Sequence, residues 1–308
     1  LSNCFDKLFS DSSYAFRTGI QKDKIFNHHK AIEDIIKFKN EIGKPLFVTE
    51  CDIKKFYDCV NHKIVKDHFA IMTEELRQKE KIEIDQHAIY IFKSYLDSFS
   101  FNNHVKKNEA KLLHTIGVKD GTIPWVSENE LQNIESNIKD DTIGIPQGGA
   151  ISCLIANILL NHVDKAIEKK SDSNTFYARF CDDMVLMHTD LNKCNELLEI
   201  YQNSLKDIKL ISHNPKDFSK YGTEFWDENL KSKLPYKWDH YSKNDSSTLK
   251  NVPWLSFVGY QIKYNGTIRV RKKSIKKELK KQVSETDKLL KIIRKSARIN
   301  RKAIKFRL

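Results

Sequence analysis

The 308-residue sequence predicts an α+β fold. Three observations carry that prediction. Two strand-like apolar stretches each end in acid, at Asp52 and at the pair Asp182-Asp183. Between them a glycine-rich turn, Gly144-Ile-Pro-Gln-Gly-Gly149, opens a strongly periodic helix. The chain then closes on a basic helical stretch, so strands and helices mix without the regular alternation of a parallel α/β sheet.

Taken in order, helical spacing runs from Ile25 to Phe38 through Ala31, Ile32, Ile35 and Ile36, and Gly43 with Pro45 closes that element. Leu46-Phe47-Val48-Thr49 starts a strand that delivers Asp52 at its end. Asn61 can cap a helix carrying Ile64, Val65, His68, Phe69 and Met72. Residues 73–143 are polar and uneven. They hold a helix over 86–99 and then a loop-rich stretch through Pro124-Trp125, expected as an insertion or small lobe. Over 150–169, Ile151, Leu154, Ile155, Ile158, Leu159, His162 and Ile167 recur at helical spacing.

Strands over 176–180 and 184–188 turn at Cys181–Asp183, which puts the acids at a hairpin tip, and a helix over 191–208 follows. Residues 213–253 are rich in Lys, Asp, Asn and Ser and predict mostly loop. A hairpin over 254–258 and 260–264 precedes a final helix capped by Ser274. Its apolar residues at 275, 279, 283, 290, 293, 297 and 304 form one face.

Composition bounds the class. Hydrophobic content of 40% and charged content of 31% suit a globular protein, and no apolar run approaches the length of a membrane span. No secretory signal pattern is present, and the start at Leu1 rather than Met predicts that the natural N-terminus lies upstream. Six scattered cysteines contain no Cys-x-x-Cys pair, and Cys51 and Cys181 sit beside the acids; reduced thiols and a cytoplasmic setting are expected.

The net charge is +12, but residues 263–308 hold 18 Lys or Arg against 3 acids. That segment carries +15, which leaves about −3 for the rest. A basic arm on a near-neutral body is the footprint of a phosphate-rich partner, with a solvated helix face or an anionic membrane as the plainer readings.

Carboxylates brought together from separate strands suit hard divalent cations, and adjacent carboxylates repel unless a cation neutralises them. A lone aspartate at a strand end is ordinarily a cap or turn residue, so Asp52 gains meaning only beside Asp182-Asp183. Asp52 and Asp58 could instead form an acid/base couple, but nothing in the sequence gives them different environments. Asp140-Asp141 reads as a plain loop dipeptide. Tyr57 is either a core aromatic or a ring that presses on a sugar. Gly144–Gly149 lacks the Lys-Ser/Thr of a P-loop; its glycines let backbone approach a ligand, and Gln147 offers an amide at a helix mouth.

The ordered set resembles the reverse transcriptases, in particular the bacterial branch with group II intron, retron and defence-associated enzymes. Tyr14-Ala-Phe-Arg-Thr-Gly19 resembles the early fingers motif, Asp52-Ile-Lys-Lys-Phe-Tyr-Asp58 motif A, and Gly144 to Ser152, continuing to Asn157, motif B. Tyr177-Ala-Arg-Phe-Cys-Asp-Asp183 resembles motif C, and Leu255-Ser-Phe-Val-Gly-Tyr260 the primer grip.

The resemblance implies a right-hand polymerase fold with a palm sheet, helical fingers and the start of a helical thumb. It divides the chain into fingers (1–46), palm (47–65), fingers or insertion (66–143), palm with primer grip (144–272) and a basic thumb helix (273–308). It implies two magnesium ions, with manganese as a substitute, on Asp52, Asp182, Asp183 and the Ile53 carbonyl. Nucleotide contacts fall on Tyr57, Gln147, Gly148 and Arg17. Lys216 is the nearest match to a leaving-group acid, with Lys209 as its rival. Lys272, Lys273, Lys276, Lys277, Lys280 and Lys281 would follow a nucleic-acid backbone. The implied partners are an RNA template, such as a cognate non-coding RNA, a DNA or RNA primer and dNTPs. No membrane is implied, and an oligomer or protein partner stays open.

Departures narrow the branch. Cys153 replaces a usual proline, Phe180-Cys181 replaces Tyr-Ala, and no cysteine-rich endonuclease tail follows. The expectation is a retron-like or antiviral defence enzyme that adds dNTPs to a primer 3′-hydroxyl by two-metal chemistry. Untemplated or protein-primed synthesis at the same site is one alternative, and an RNA-binding scaffold without required catalysis is another. Tyr57 argues against ribonucleotide polymerisation.

Overall fold

A computed structural model describes residues 1–18, 25–101, 142–149, 151–217, 225–227, 230–241 and 251–299. The 102–141 insertion with Pro124-Trp125 and Asp140-Asp141, the motif residue Gly19, and the tail from 300 lie outside the described residues.

The chain folds as α1 (Ser2–Phe5), α2 (His28–Ile42), β1 (Leu46–Asp52), α3 (Phe56–Cys59), α4 (His62–Glu75), α5 (Gln86–Ser98), α6 (Ser152–Glu168), β2 (Thr175–Phe180), β3 (Asp183–His188), α7 (Leu191–Asp207), β4 (Lys233–Trp238), β5 (Trp254–Phe257), β6 (Tyr260–Lys263), β7 (Ile268–Val270) and α8 (Lys272–Ile299). The caps follow the expected chemistry. Asn27 accepts from Lys30 N–H at the start of α2, and Gly43 ends it in the left-handed region at φ 57°. Asn61 caps α4 through Ile64 N–H at 3.1 Å, Asp85 caps α5, and Asp190 caps α7.

Four strands form the central antiparallel sheet in the order β2-β3-β1-β4, and β5-β6-β7 form a second sheet. Both faces of the central sheet are covered. Met184 and Leu186 of β3 face a core with α4, α5, α6 and α7. Val185 and Met187 face the other core, with α2 and the second sheet. A strand buried on two sides needs an unbroken apolar run, and Met184-Val-Leu-Met187 supplies one.

Two strands depart from the sequence expectation. β4 forms inside the stretch expected to be loop, pairing with β1 at the sheet edge across a bulge between Val48 and Glu50. Its Pro235 and two lysines hide a strand, but an edge beside a bulge tolerates proline. β7 adds a third strand to the expected hairpin. The last helix starts at Lys272, two residues before Ser274. Its apolar stripe is exposed at Ile275, Leu279, Val283, Leu290 and Ile293. Among the described residues, no helix is long and apolar enough to cross a membrane.

Candidate active site

β1 and β3 run antiparallel with Asp52 directly opposite Asp183, so the two distant acids meet at one end of the sheet. Strand alternation puts Glu50, Asp52 and Asp183 on the face toward the second sheet. Asp182 sits in the β2–β3 turn behind Cys181, whose φ of 58° is left-handed. Glu50, Asp52, Asp182 and Asp183 line one cleft of about 420 Å³. Six cationic residues line it as well: Lys231, Lys233, Arg271, Lys272, Lys273 and Lys277.

Each acid is held differently. Asp52 pairs with Lys231, its N–H donates to Ser232 Oγ at 3.1 Å, and its carbonyl accepts from His213 N–H at 2.9 Å. Asp183 Oδ2 accepts from Val258 N–H at 3.1 Å. Val258 is at φ 48°, an unusual setting for a β-branched residue, so the β5–β6 turn holds backbone strain where it aims that N–H. Burial pushes the Asp183 carboxyl up to about 7, against the Val258 bond and with Glu50 and Asp52 nearby. Burial and then the charge of Asp52 push Asp182 up as well. Glu50 is buried and accepts from Lys233, Tyr236 and, at 3.1 Å, Ser256 N–H.

Ile53 bridges to Ser212, but the bonds of that bridge come from its neighbours, Lys54 N–H to Ile211 O and His213 N–H to Asp52 O. The Ile53 carbonyl is therefore not consumed by the pairing. Tyr57 reaches the acidic tip, its hydroxyl 3.2 Å from Cys181 Sγ. The glycine-rich turn is tied to the same segment: Ile145 N–H donates to Tyr57 O at 2.7 Å and Gly144 N–H to Val60 O at 2.8 Å. Gly144 sits at φ 92°, where a Cβ would stand 2.6 Å from Phe101 Cβ, so glycine is required there. Gln147 and Gly148 remain exposed on the turn, and Ser152 Oγ closes it onto Pro146 O at 2.5 Å.

Arg17, Lys216 and Lys209 do not line this cleft. Arg17 is engaged inside the protein: it pairs with Asp6 at 2.9 Å, donates to the Ser10, Ser13 and Asp6 carbonyls, and lies over the Phe26 ring at 4.2 Å. Its side chain is 1% exposed, and its guanidinium is taken up by these partners. Lys216 bridges to Lys233 on the far edge of β4 and does not line the cleft. Lys209 follows α7 at φ 57°, also outside the cleft lining. The cation paired with Asp52 is Lys231, hidden in the sequence inside a stretch read as loop. Of the expected backbone-following lysines, Lys272, Lys273 and Lys277 line the cleft; Lys276, Lys280 and Lys281 are exposed along α8.

Among the described residues, no three histidine, cysteine or acidic side chains stand close enough to grip one ion as they are. The donor chemistry nevertheless fits a hard cation. Asp52, Asp182 and Asp183 share the cleft, burial raises the pKa of the latter two with neighbouring acids adding to it, and a lysine ammonium pairs with the first.

An antiparallel sheet that brings acids together in a cleft also lined by cations suits a nucleotidyltransferase, the class to which the family match assigns the chain. The chain belongs to the reverse transcriptase (RNA-dependent DNA polymerase) family, whose model matches residues 1–219. No curated protein matches the sequence. Among solved structures, the chain is similar to apo telomerase from Candida tropicalis truncated from the C-terminal domain. There the identity is 13%, the TM-score 0.46, and the match covers 84% of this chain and 41% of that one. It is also similar to telomerase from Candida albicans in complex with a TWJ fragment of telomeric RNA, at 15% identity and a TM-score of 0.43, covering 80% of this chain and 34% of that one. This chain thus spans well under two thirds of the length of either, and likenesses this weak carry no functional weight.

Proposed function

We propose that this chain is an RNA-directed DNA polymerase that adds dNTPs to a primer 3′-hydroxyl. The observation that carries the reading is the register of Asp52 against Asp183 within a family match that spans both acids. Asp52, Asp182, Asp183 and the Ile53 carbonyl would hold two magnesium ions, with manganese as a substitute. Bound there, the ions would activate the primer hydroxyl and neutralise charge on the leaving pyrophosphate.

The chain's own residues do the rest. Tyr57 presses its ring beside the tip and excludes a 2′-hydroxyl, selecting deoxyribonucleotides. Gln147 and Gly148 present an exposed amide and an open backbone to the nucleotide. Lys231, which pairs with Asp52 and lines the cleft, would give a proton to the departing phosphate, a role we assign to it rather than to Lys216, which is absent from the cleft lining. The α8 lysines follow the template–primer backbone without reading sequence.

The β1–β4 sheet serves as palm, α2, α4 and α5 as fingers, and α8 as the start of the thumb. The partners are an RNA template, a primer and dNTPs. The branch we favour is retron-like or antiviral defence, in the cytoplasm, on the sequence departures at Cys153 and Phe180-Cys181.

The decisive experiment extends a labelled primer on a defined RNA and sequences the product. DNA complementary to the RNA, lost in Asp182→Asn, is expected. Product whose sequence ignores the RNA would replace this reading with untemplated synthesis.

A further inference from the structure

Arg179 is the largest fully buried side chain of the described residues, and the chemistry above leaves it unused. Its guanidinium stands at the crossing of three segments. Nε donates to both Asp164 oxygens, at 2.8 and 3.1 Å, and Nη2 to Asp164 Oδ2 at 2.6 Å. Nη2 also donates to Ser13 Oγ at 2.9 Å, and both Nη groups approach Asn157 Oδ1 at 3.4 Å. Nη1 donates to the Cys181 carbonyl at 3.0 Å. That carbonyl belongs to the peptide joining Cys181 to Asp182.

The partners are themselves fixed. Asp164 is fully buried on α6 and accepts from Tyr177 OH at 2.8 Å. Asn157 Nδ2 donates to Ala15 O at 2.8 Å. The backbone of Arg179 is locked too: its N–H donates to Ser12 O at 2.8 Å, and its carbonyl accepts from Tyr14 N–H at 2.9 Å.

A buried ion pair costs desolvation and is weak evidence for stability, so its presence calls for another reason. The reason is at the tip. Cys181 is a non-glycine residue at φ 58°, a setting that persists only where the surroundings over-determine it. We infer that Arg179, anchored by Asp164, is a positioning residue that clamps the Cys181–Asp182 peptide and so fixes the direction of the Asp182 and Asp183 carboxylates. This inference rests on the proposed polymerase site and names what holds that site in register.

The test uses two variants of the full chain. Arg179→Lys keeps a charge for Asp164 but cannot reach Asp164, Ser13 and the Cys181 carbonyl together. The triple change Arg179→Met, Asp164→Leu, Tyr177→Phe removes the ion pair and its dependent hydroxyl without stranding a buried charge. Two readouts are taken. One is alkylation at Cys181, mapped by mass spectrometry, with Cys51 and Cys194 as internal reporters of global folding. The other is the split of kcat from KM for dNTP in primer extension.

The expected result is Cys181 labelling about tenfold faster, equivalent to about 1.4 kcal/mol of tip stability, with Cys51 and Cys194 unchanged. With it, kcat falls about 100-fold, the scale of a small misplacement of reacting groups, at nearly constant KM. Unchanged Cys181 labelling and unchanged kcat in either folded variant overturns the clamp. If the parent chain makes no DNA but Cys181 still loosens in the variants, the clamp stands and the polymerase reading falls.

Discussion

Asp52 and Asp183 face each other across the β1–β3 pairing, although 131 positions separate them in the chain. Antiparallel register does this, and it also aims both side chains at the second sheet, where Val258 N–H meets Asp183.

The Asp183 carboxyl, pushed up to about 7 chiefly by burial, makes stability depend on pH. Its folded value lies above the unfolded value of about 3.9, so its contribution is fully present below about pH 4 and is lost as pH rises through about 7. Metal-free protein should therefore melt lower at pH 7.5 than at pH 5.5. Asp183→Asn should flatten that difference, with up to ~1.4 kcal/mol regained at pH 7.5 for each pKa unit removed. Saturating magnesium should flatten it in the parent protein. Calorimetry across this window, with and without magnesium, decides; identical slopes in all three samples would count against a buried, cation-seeking Asp183.

Tyr57→Ala should admit ribonucleotides, with dNTP-over-NTP preference falling about tenfold or more, roughly a 1.4 kcal/mol change. Tyr57→Phe should keep the preference, because the ring rather than the hydroxyl on Cys181 does the excluding. Single-nucleotide incorporation with dCTP and CTP measures both variants, and an unaltered preference in the alanine variant would remove the steric role.

Lys231→Ala should lower kcat by about 100-fold, the lower range for a proton-transfer group, and should erase the basic limb of the pH–rate profile. Lys216→Ala should change neither. The prediction follows from position: Lys231 lines the cleft and pairs with Asp52, whereas Lys216 bridges to Lys233 at the sheet edge. Equal losses in the two variants would remove the distinction.

The exposed lysines of α8 should bind an RNA–DNA duplex by charge. Replacing Lys276, Lys280 and Lys281 with alanine should reduce the slope of log K against log salt by roughly 0.7–0.9 for each phosphate no longer neutralised, with little effect on melting temperature. Fluorescence anisotropy from low to moderate salt reads the slope; a slope equal to that of the parent would take these lysines out of the interface.

Gly144→Ala should destabilise the turn that carries Gln147, since the added Cβ meets Phe101 and the backbone at φ 92° disfavours any side chain. The destabilisation should exceed the ~1 kcal/mol typical of a single substitution. Thermal melting measures it, and an unchanged midpoint would mean that the Phe101 segment yields freely.

Most of the frame was legible along the chain. Asn61 and Gly43 marked helix ends because capping is local chemistry, and the acids marked strand ends because the apolar run stops there. β4 was not legible, since Pro235 and the lysines give no alternation and only the partner strand supplies its bonds. The resemblance of its motif suggested a nucleotide contact for Arg17; its pairing with Asp6 and its place over Phe26 come from separate segments and show only in the fold. Arg179 carried no signal beyond a charge in an apolar strand, and its four partners lie on three segments.

By itself the sequence determined the kinds of group present: acids at two strand ends, a glycine-rich turn before a helix, an aromatic five residues past the first acid and a basic arm, each legible from its own local run of residues. The tertiary structure alone decided which charges meet. Pairing across a sheet and burial between layers depend on segments far apart in the chain, and these set Lys231 on Asp52, Lys216 beside β4, Arg17 on Asp6 and Arg179 on the Cys181 carbonyl.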